Sequence, residues 1–569
     1  MGSTVANRGV ALATSGANVL RAHVASAGSN IRVDESSDNG ATFGSAVTAA
    51  SLAGVTWLAC SLKSNGDAFL IYANATTVYA VKRLSGVWGT PAAWPFSANS
   101  ITGVTVAWAG DFNLAIAGTD TNDNPRLWAA IYGDGGVVSA DTWLLLSPVA
   151  EADAGSNVSV KAPSFTYLNN GWLFFVEQYT GAVAYERPHW TWFPPSQSFQ
   201  ANGWREPVPF DLASSYGMAI TGSASHAWLS TPAGVWRAAH AWQATDLSGD
   251  VQELTLETQP EGGRAKITLR NDDGRYNDLA NGAYSAIRPG AQVAIGAGYI
   301  TSAGQELPAP GLNFWLDGWE YTSAGGEAAL VLYASNLWAL VAGWRARRQY
   351  TWQAGDKTVA QILTFVFGRA GIELVTAGTS TTATSHKPAF TIHPGEDGLR
   401  AARRLLAMIP DVIQPVDSFV YLMEPKATDS SDYSYGADHV ISHARYASAG
   451  LAANRVQVFG DGLVAQDFDW PDVADQFDRL RQVFDLNMTT QAKAETRVAT
   501  TLRREEISVP LGELVTPVNC GQDIYDVVTV TDPNAGLAAV DYRVAGVKLR
   551  YARRGRTPVY EQRLLLAKV

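Results

Sequence analysis

Ser36-Ser37-Asp38-Asn39-Gly40-Ala41-Thr42-Phe43 is a tight turn that ends on an aromatic anchor, and looser copies recur through the first 240 residues. They end in Trp88 (Ser85-Gly86-Val87-Trp88-Gly89-Thr90-Pro91), Trp143 (Asp141-Thr142-Trp143), Trp204 (Asn202-Gly203-Trp204-Arg205-Glu206-Pro207) and Trp236 (Ala233-Gly234-Val235-Trp236). In the fullest copy the Asp38 carboxylate can accept backbone N–H bonds inside the turn, Gly40 can take positive φ without a Cβ clash, and Phe43 can pack beneath the hairpin. The five anchors lie 45, 55, 61 and 32 residues apart. That spacing suits a four-stranded unit with variable loops and predicts a β-propeller of about five blades over residues 1–240.

Composition changes at the same place. Residues 1–240 hold 11 of the 42 Lys and Arg and 15 of the 53 Asp and Glu, so charge density nearly doubles afterwards. Twelve of the 19 Trp fall before residue 240, as expected of blades that each bury a large ring. At 569 residues the chain exceeds one hydrophobic core and implies several domains. A net charge of −11 argues against a surface built to grip phosphates or anionic lipid, which concentrates Lys and Arg. Cys60 and Cys520, the two cysteines, fall in different predicted domains, which excludes a disulfide framework. No apolar run approaches the roughly 20 residues of a bilayer span. The first residues lack a basic segment followed by an apolar one, so no Sec-type signal is expected.

Past residue 240 the repeat stops and the reading becomes mainly β with α+β parts. Residues 241–345 are β-rich: Leu254-Thr255-Leu256-Glu257-Thr258 alternates, Ala265–Asn271 runs into Asp272-Asp273-Gly274-Arg275-Tyr276, and Gln292–Tyr299 follows Pro289-Gly290. Five or more strands in so short a stretch predict a small barrel or split sandwich, and we take the β-barrel as the expectation. Residues 346–445 read as an α/β insert. Asp356 is the expected N-cap of a helix with Val359, Ile362, Leu363, Val366 and Phe367 on one face, ending near Gly371. A second helix is expected over 397–409, before Pro410. Residues 446–569 read as a second β-barrel-type domain with a helix over 490–504. Its strands include Arg455–Phe459, Val527–Val530, Tyr542–Tyr551 and Tyr560–Val569, with a hairpin at Asp532-Pro533-Asn534-Ala535-Gly536.

Two resemblances follow from these residues. The Ser36, Asp38, Gly40, Phe43 turn resembles the Asp-box of sialidase-like propellers, with Phe where Trp is usual. The C-terminal part resembles the tail hub proteins of tailed bacteriophages and related contractile injection machines. The segments that carry it are Ile267–Tyr276, Arg288-Pro289-Gly290, Phe314-Trp315-Leu316-Asp317-Gly318-Trp319, the helix opened by Gly355-Asp356-Lys357-Thr358, Asn454-Arg455-Val456, Cys520–Val528 and Arg543-Val544. The resemblance implies hub β-barrel domains with interspersed short helices, and a homotrimeric ring at the virion's tail tip or baseplate that joins the tail tube to tip proteins around a DNA channel. It implies as partners other copies of the chain, a tail tube or distal tail protein, and tape-measure, tip or fibre proteins. DNA would pass through without specific binding, and an acidic lumen would help by repelling its phosphates. The propeller would be peripheral, serving tip assembly or contact with a host-surface glycan.

The alternative is a carbohydrate-binding or glycoside-hydrolysing propeller. Sialidase chemistry needs three converging Arg, a Tyr nucleophile with a Glu partner, and an acid. Only eight Arg occur in residues 1–240 and no Arg-Ile-Pro segment precedes the turn. The eight His have no metal-ligand spacing, HExxH and CxxC are absent, and Asp272-Asp273-Gly274 fits a β-turn better than a cation loop. We therefore expect no catalytic residues, no cofactor and no metal. The aromatic run containing Tyr185, His189, Trp190, Trp192 and Phe193 is the strongest candidate for a partner or glycan contact, since exposed rings stack on sugars and anchor protein interfaces; the alternative is that it forms part of a blade core.

Overall fold

A computed structural model describes residues 10–25, 29–93, 98–109, 111–123, 125–132, 143–145, 158–168, 170–180, 185–193, 208–209, 219–222, 226–231, 234–239, 245–280, 282–302, 304–306, 312–416, 419–553 and 558–569. The chain divides into two compact units, residues 1–243 and 244–569. Among the described residues it is mainly β, in several separate sheets, none closed on itself.

Among the described residues the N-terminal unit shows five sheets in series, each an antiparallel meander of sequence-adjacent strands apart from the short Ala92–Ala93, which pairs with Val78–Leu84. The first runs Val10–Ser15, Asn18–Val24, Asn30–Ser36, Val47–Ser51; the second opens with Trp57–Leu62, the third with Ser100–Ala109, the fourth with Val158–Leu168 and the fifth with Ala219–Gly222. The opening strand of each sheet packs against the opening strand of the next. Burial explains the order. All six residues of Ala68–Ala73, in the middle of the second sheet, are buried, because both faces of that sheet meet neighbouring sheets. The sequence repeat sits in phase with this architecture: Phe43 precedes the fourth strand of the first sheet, and Trp88 and Trp143 lie in the fourth strands of the second and third. Trp204 falls outside the described residues, and Trp236 lies in the third and last strand of the three-stranded fifth sheet.

The C-terminal unit departs from the expected pair of small barrels. Strands from both expected β-rich regions belong to one open, 11-stranded sheet. Its main path runs Gln292–Ile295, Leu312–Ala324, Glu327–Ser335, Gly262–Arg270, Val251–Gln259, Leu537–Ala552, Val559–Ala567, Gly512–Pro517, His443–Tyr446. The junction is the long strand Leu537–Ala552. Its first half pairs with Val527–Asp532 and its second half with Val251–Gln259, and it changes partner at a bulge between Val544 and Gly546. Gly546 fits closely there: a Cβ would sit 3.1 Å from the Leu565 side chain, which would have to shift by a few tenths of an ångström, and 3.4 Å from the Thr258 carbonyl. One core lies under each half: Ile267, Leu269, Phe314, Leu330 and Leu332 on one side, Tyr435, Leu514, Val528, Val530, Leu564 and Leu566 on the other. The barrel expectation failed because hydrophobic alternation locates strands without saying which strands pair.

Two helical lobes attach to this sheet. In the first, Val359–Arg369 and Gly398–Leu406 bury Ile362, Leu363, Val366, Phe367, Ala401, Ala402 and Leu405 in a common core with Trp338. The N-cap of the first helix is Thr358, not Asp356: Thr358 and Gln361 form a reciprocal capping box, while Asp356 accepts a bond from the Gln353 N–H at 2.8 Å. Asp397 caps the second helix as its position suggests. In the other lobe, helix Gln491–Ser508 lies on one face of a three-stranded sheet formed by Val464–Phe468, Arg455–Phe459 and Leu480–Phe484.

Candidate functional site

The Ser36 to Phe43 turn connects the third and fourth strands of the first sheet and is held by its own side chains. Asp38 Oδ1 accepts from the Thr42 N–H at 2.9 Å and Oδ2 from the Thr42 hydroxyl at 2.6 Å, while Ser36 Oγ donates to Asp38 at 2.5 Å and accepts from the Gly40 N–H at 2.8 Å. These bonds, the one from Ser36 foremost, hold the Asp38 carboxyl down at about 2. Arg21 lies 4.1 Å above the Phe43 ring and makes a two-pronged contact with the buried Asp34. The Ser36, Asp38 and Thr42 side chains thus bond within the turn itself. Asn39 and Gly40 both have positive φ, 59° and 83°. A Cβ on Gly40 would meet Val19 and Phe43 only at ordinary contact distance, so Gly40→Ala is expected to cost backbone strain alone, about 1–2 kcal/mol. Differential scanning calorimetry should show it in the N-terminal unit and not in the C-terminal one.

Geometry also bears on the sialidase alternative. Arg21 binds Asp34, Arg32 donates to the Ala46 carbonyl at 2.8 Å, Arg83 to the Gly66 carbonyl, and Arg126 pairs with Asp120 at 3.0 Å. Four of the eight candidate arginines are each tied to a local partner. Among the described residues no group of three or more His, Cys, Asp or Glu is placed to hold a metal ion. Cys60 is buried, which pushes its thiol up to about 12.

Tyr185–Phe193 is a nine-residue strand in the middle of the fourth sheet. His189 is a correction to the expected contact surface: it is 6% exposed, with its ring stacked on Phe175 at 5.4 Å. The side chains of Tyr185, Trp190, Trp192 and Phe193 lie outside the described residues.

The C-terminal segments singled out in the sequence form two polar joints. In the first, Asp250, itself buried, accepts from the buried Tyr276 hydroxyl at 2.7 Å and from Arg275 at 2.9 Å. Asn271 accepts from the Tyr276 N–H at 3.0 Å, and the Asp272 carboxylate accepts from the Ala328 N–H at 3.1 Å. The Asn271–Tyr276 stretch is therefore a turn that ties the strand Gly262–Arg270 to the chain before and after it. Asp273 is spent on Arg275, at 2.8 Å to Nε.

The second joint surrounds Gln522–Val528. The Tyr435 hydroxyl donates to Gln522 Oε1 at 2.9 Å and accepts from Gln562 at 3.1 Å; Gln522 Nε2 and the Asp523 N–H both donate to Asp526 Oδ2 at 2.7 Å. Asp432 accepts from the Val527 N–H at 2.9 Å. Burial pushes the Asp523 carboxyl up to about 6 and that of Asp526 up to about 7, the latter helped by the neighbouring Asp523 and Asp432. Arg543, 1% exposed, donates to the Tyr525 and Lys426 carbonyls at 2.7 Å each and to Asp429 at 2.9 Å. Sequence reasoning marked Cys520–Val528 and Arg543 but missed Tyr435, Gln562, Asp429 and Asp432. Their separation along the chain leaves no local pattern to find.

No protein-family model matches the chain, and no curated protein matches it. Solved structures do. The 43 kDa tail protein of prophage MuSo2 from Shewanella oneidensis matches with 14% identity over 60% of this chain and 98% of that one, with a TM-score of 0.39. A tail protein from Neisseria meningitidis matches with 12% identity over 62% and 97%, TM-score 0.41. Prophage tail protein gp18 from Listeria monocytogenes matches with 13% identity over 58% and 92%, TM-score 0.37.

Proposed function

We propose that this chain is a structural tail protein of a tailed bacteriophage, and specifically the hub of its tail tip. Three copies would form a ring that joins the tail tube to the tip or baseplate around the DNA channel. One observation carries the reading. The segments whose wording resembles hub proteins, Asn271–Tyr276, Cys520–Val528 and Arg543, form the hydrogen-bonded joints of a single sheet that both ends of the C-terminal unit build together. An open sheet of 11 strands is also long for one subunit, and open edges invite pairing or cover by another chain. In this reading residues 241–345, 346–445 and 446–569 act as one wall segment rather than three independent domains.

Residues 1–240 would form a peripheral propeller: five meanders in series whose opening strands touch in order are the arrangement such a disc needs. Trp190 and Trp192, which alternate in register with the buried His189, would meet a tip protein or a host-surface glycan. The role is structural rather than catalytic. The test is co-sedimentation of the purified chain with the polymerised tube protein of its own phage, with a glycan array run beside it. Retention on tubes is expected. A chain that ignores tubes but is held by an oligosaccharide would favour the carbohydrate-binding alternative.

A further inference from the structure

The three-stranded sheet Val464–Phe468, Arg455–Phe459, Leu480–Phe484 is covered on one face only. Val456, Val458, Ala465 and Val483 pack against Ala494 and Val498 of the helix Gln491–Ser508. The register of the other face forms three cross-strand rows. The middle row is a glutamine ladder: Gln482 Nε2 donates to Gln457 Oε1 at 3.2 Å, and Gln457 Nε2 to Gln466 Oε1 at 3.1 Å. One flanking row is Val464, Phe459, Phe484, the two phenyl rings stacked at 4.9 Å; the other is Phe468, Arg455, Leu480, with Arg455 5.0 Å over the Phe468 ring. Exposure rises toward the margins: Val464 is 49%, Leu480 47% and Phe484 75% exposed.

Both margins are also free backbone edges among the described residues, because the central strand Arg455–Phe459 is the one partner of each outer strand. Exposed apolar edge strands of this kind are templates for another chain. The approach to one edge is strained as well. Phe477 has φ 70°, a left-handed conformation rare for a phenylalanine, and is 87% exposed; Asn454, fully buried, fixes it by donating to the Phe477 carbonyl at 2.6 Å and accepting from the Arg479 N–H at 2.7 Å. A strained backbone that presents an apolar ring to solvent points to something that covers the ring.

We propose that the occupant is a second copy of this chain, joined edge to edge, with Leu480–Phe484 of one copy antiparallel to Val464–Phe468 of the next. The two edges are complementary in register. Continuing the rows across the joint sets Phe484 beside Val464, Gln482 beside Gln466 and Leu480 beside Phe468, so the glutamine ladder runs on and apolar rows meet apolar rows. An unrelated protein would have to supply that glutamine at that step; the chain already carries it. The contact is head to tail, which closes into a ring when the rotation between copies allows. The inference rests on the hub reading only for the size of that ring.

The test uses the full-length chain in native mass spectrometry. Phe484→Glu, at an exposed position, should leave circular dichroism unchanged, lower the melting temperature only slightly through the lost stack on Phe459, and weaken self-association at least tenfold. Gln482→Cys combined with Gln466→Cys should cross-link between copies under mild oxidation, since within one copy the two positions are separated by the central strand. If the wild-type chain assembles while Phe484→Glu assembles equally well and the paired cysteines give no intermolecular link, the edge joint is wrong and the ring stands. If the wild-type chain stays monomeric at every concentration and beside tube protein, the hub reading falls and the joint with it.

Discussion

Arg543→Met is expected to destabilise the C-terminal unit by about 2–3 kcal/mol, the size of effect seen when a buried acceptor loses its charged donor. The guanidinium is almost wholly enclosed, and three acceptors lose a donor with it: the carbonyl of the buried Tyr525, the Lys426 carbonyl and the part-exposed Asp429 carboxylate, which keeps the Lys426 N–H at 2.9 Å. A buried acceptor left without a donor costs about 1–3 kcal/mol, which outweighs what a methionine of similar length regains by packing. The site is also where the strand Leu537–Ala552 leaves Val527–Asp532, with Arg543 in register with Val527 at the end of that pairing. Loss of the charge should therefore unfasten one half of the sheet from the other. Urea unfolding followed by tryptophan fluorescence and circular dichroism would show it. The control is Arg550→Ala: Arg550 is 58% exposed and 4.0 Å from Glu561, so a change under about 0.5 kcal/mol is expected.

The second large effect is a pH dependence of unusual sign. A carboxyl whose folded pKa lies above its unfolded value favours folding while it is protonated, and that contribution is lost as pH rises through the folded pKa. Asp523 and Asp526 start near 3.9 in the unfolded chain and sit at about 6 and about 7 in the folded one, pushed up by burial. The stability of the C-terminal unit should accordingly fall as pH climbs from about 4 to about 7. Each pH unit between the unfolded and folded values is worth about 1.4 kcal/mol; discounted because both side chains are only half-buried, the joint contributes about 1–3 kcal/mol to that slope. Asp526→Asn keeps an oxygen for the Gln522 and Asp523 donors and carries no charge. It should flatten the profile and leave the variant more stable than wild type at pH 8. A variant that is less stable than wild type at pH 8 would mean that the carboxylate is welcome where it lies. Asp38 works in the opposite direction in the N-terminal unit: its carboxyl is held at about 2, so its hydrogen bonds are lost only as pH falls from about 4 to about 2.

Local chemistry was the most legible part of the sequence. The Ser36 to Phe43 turn, the Asp397 cap and the apolar faces of Val359–Arg369 and Gly398–Leu406 each depend on residues within one turn or hairpin, and they appear where their spacing puts them. The Asp356 cap failed by two residues because Thr358 has a reciprocal partner in Gln361 and Asp356 does not. Pairing was much less legible. Val251–Gln259 and Leu537–Ala552 each read as strands, but nothing in either says that they are neighbours almost 300 residues apart, and the open sheet depends on that contact. Burial of a single polar ring was similarly hidden: His189 sits among Trp and Tyr in the sequence and reads as part of a surface, yet packs on Phe175. The joint at Asp526 shares the difficulty, because Tyr435, Gln522 and Gln562 converge from three distant strands or loops.

The central claim, that the sheet of the C-terminal unit is a wall segment of a multi-copy ring, meets its most direct test in electron cryomicroscopy of the isolated tail tip. The account predicts three copies around the axis, the strand Leu537–Ala552 within the wall, and the first 240 residues outside it. A tip that holds one copy, or a ring whose wall is built from residues 1–240, would contradict it.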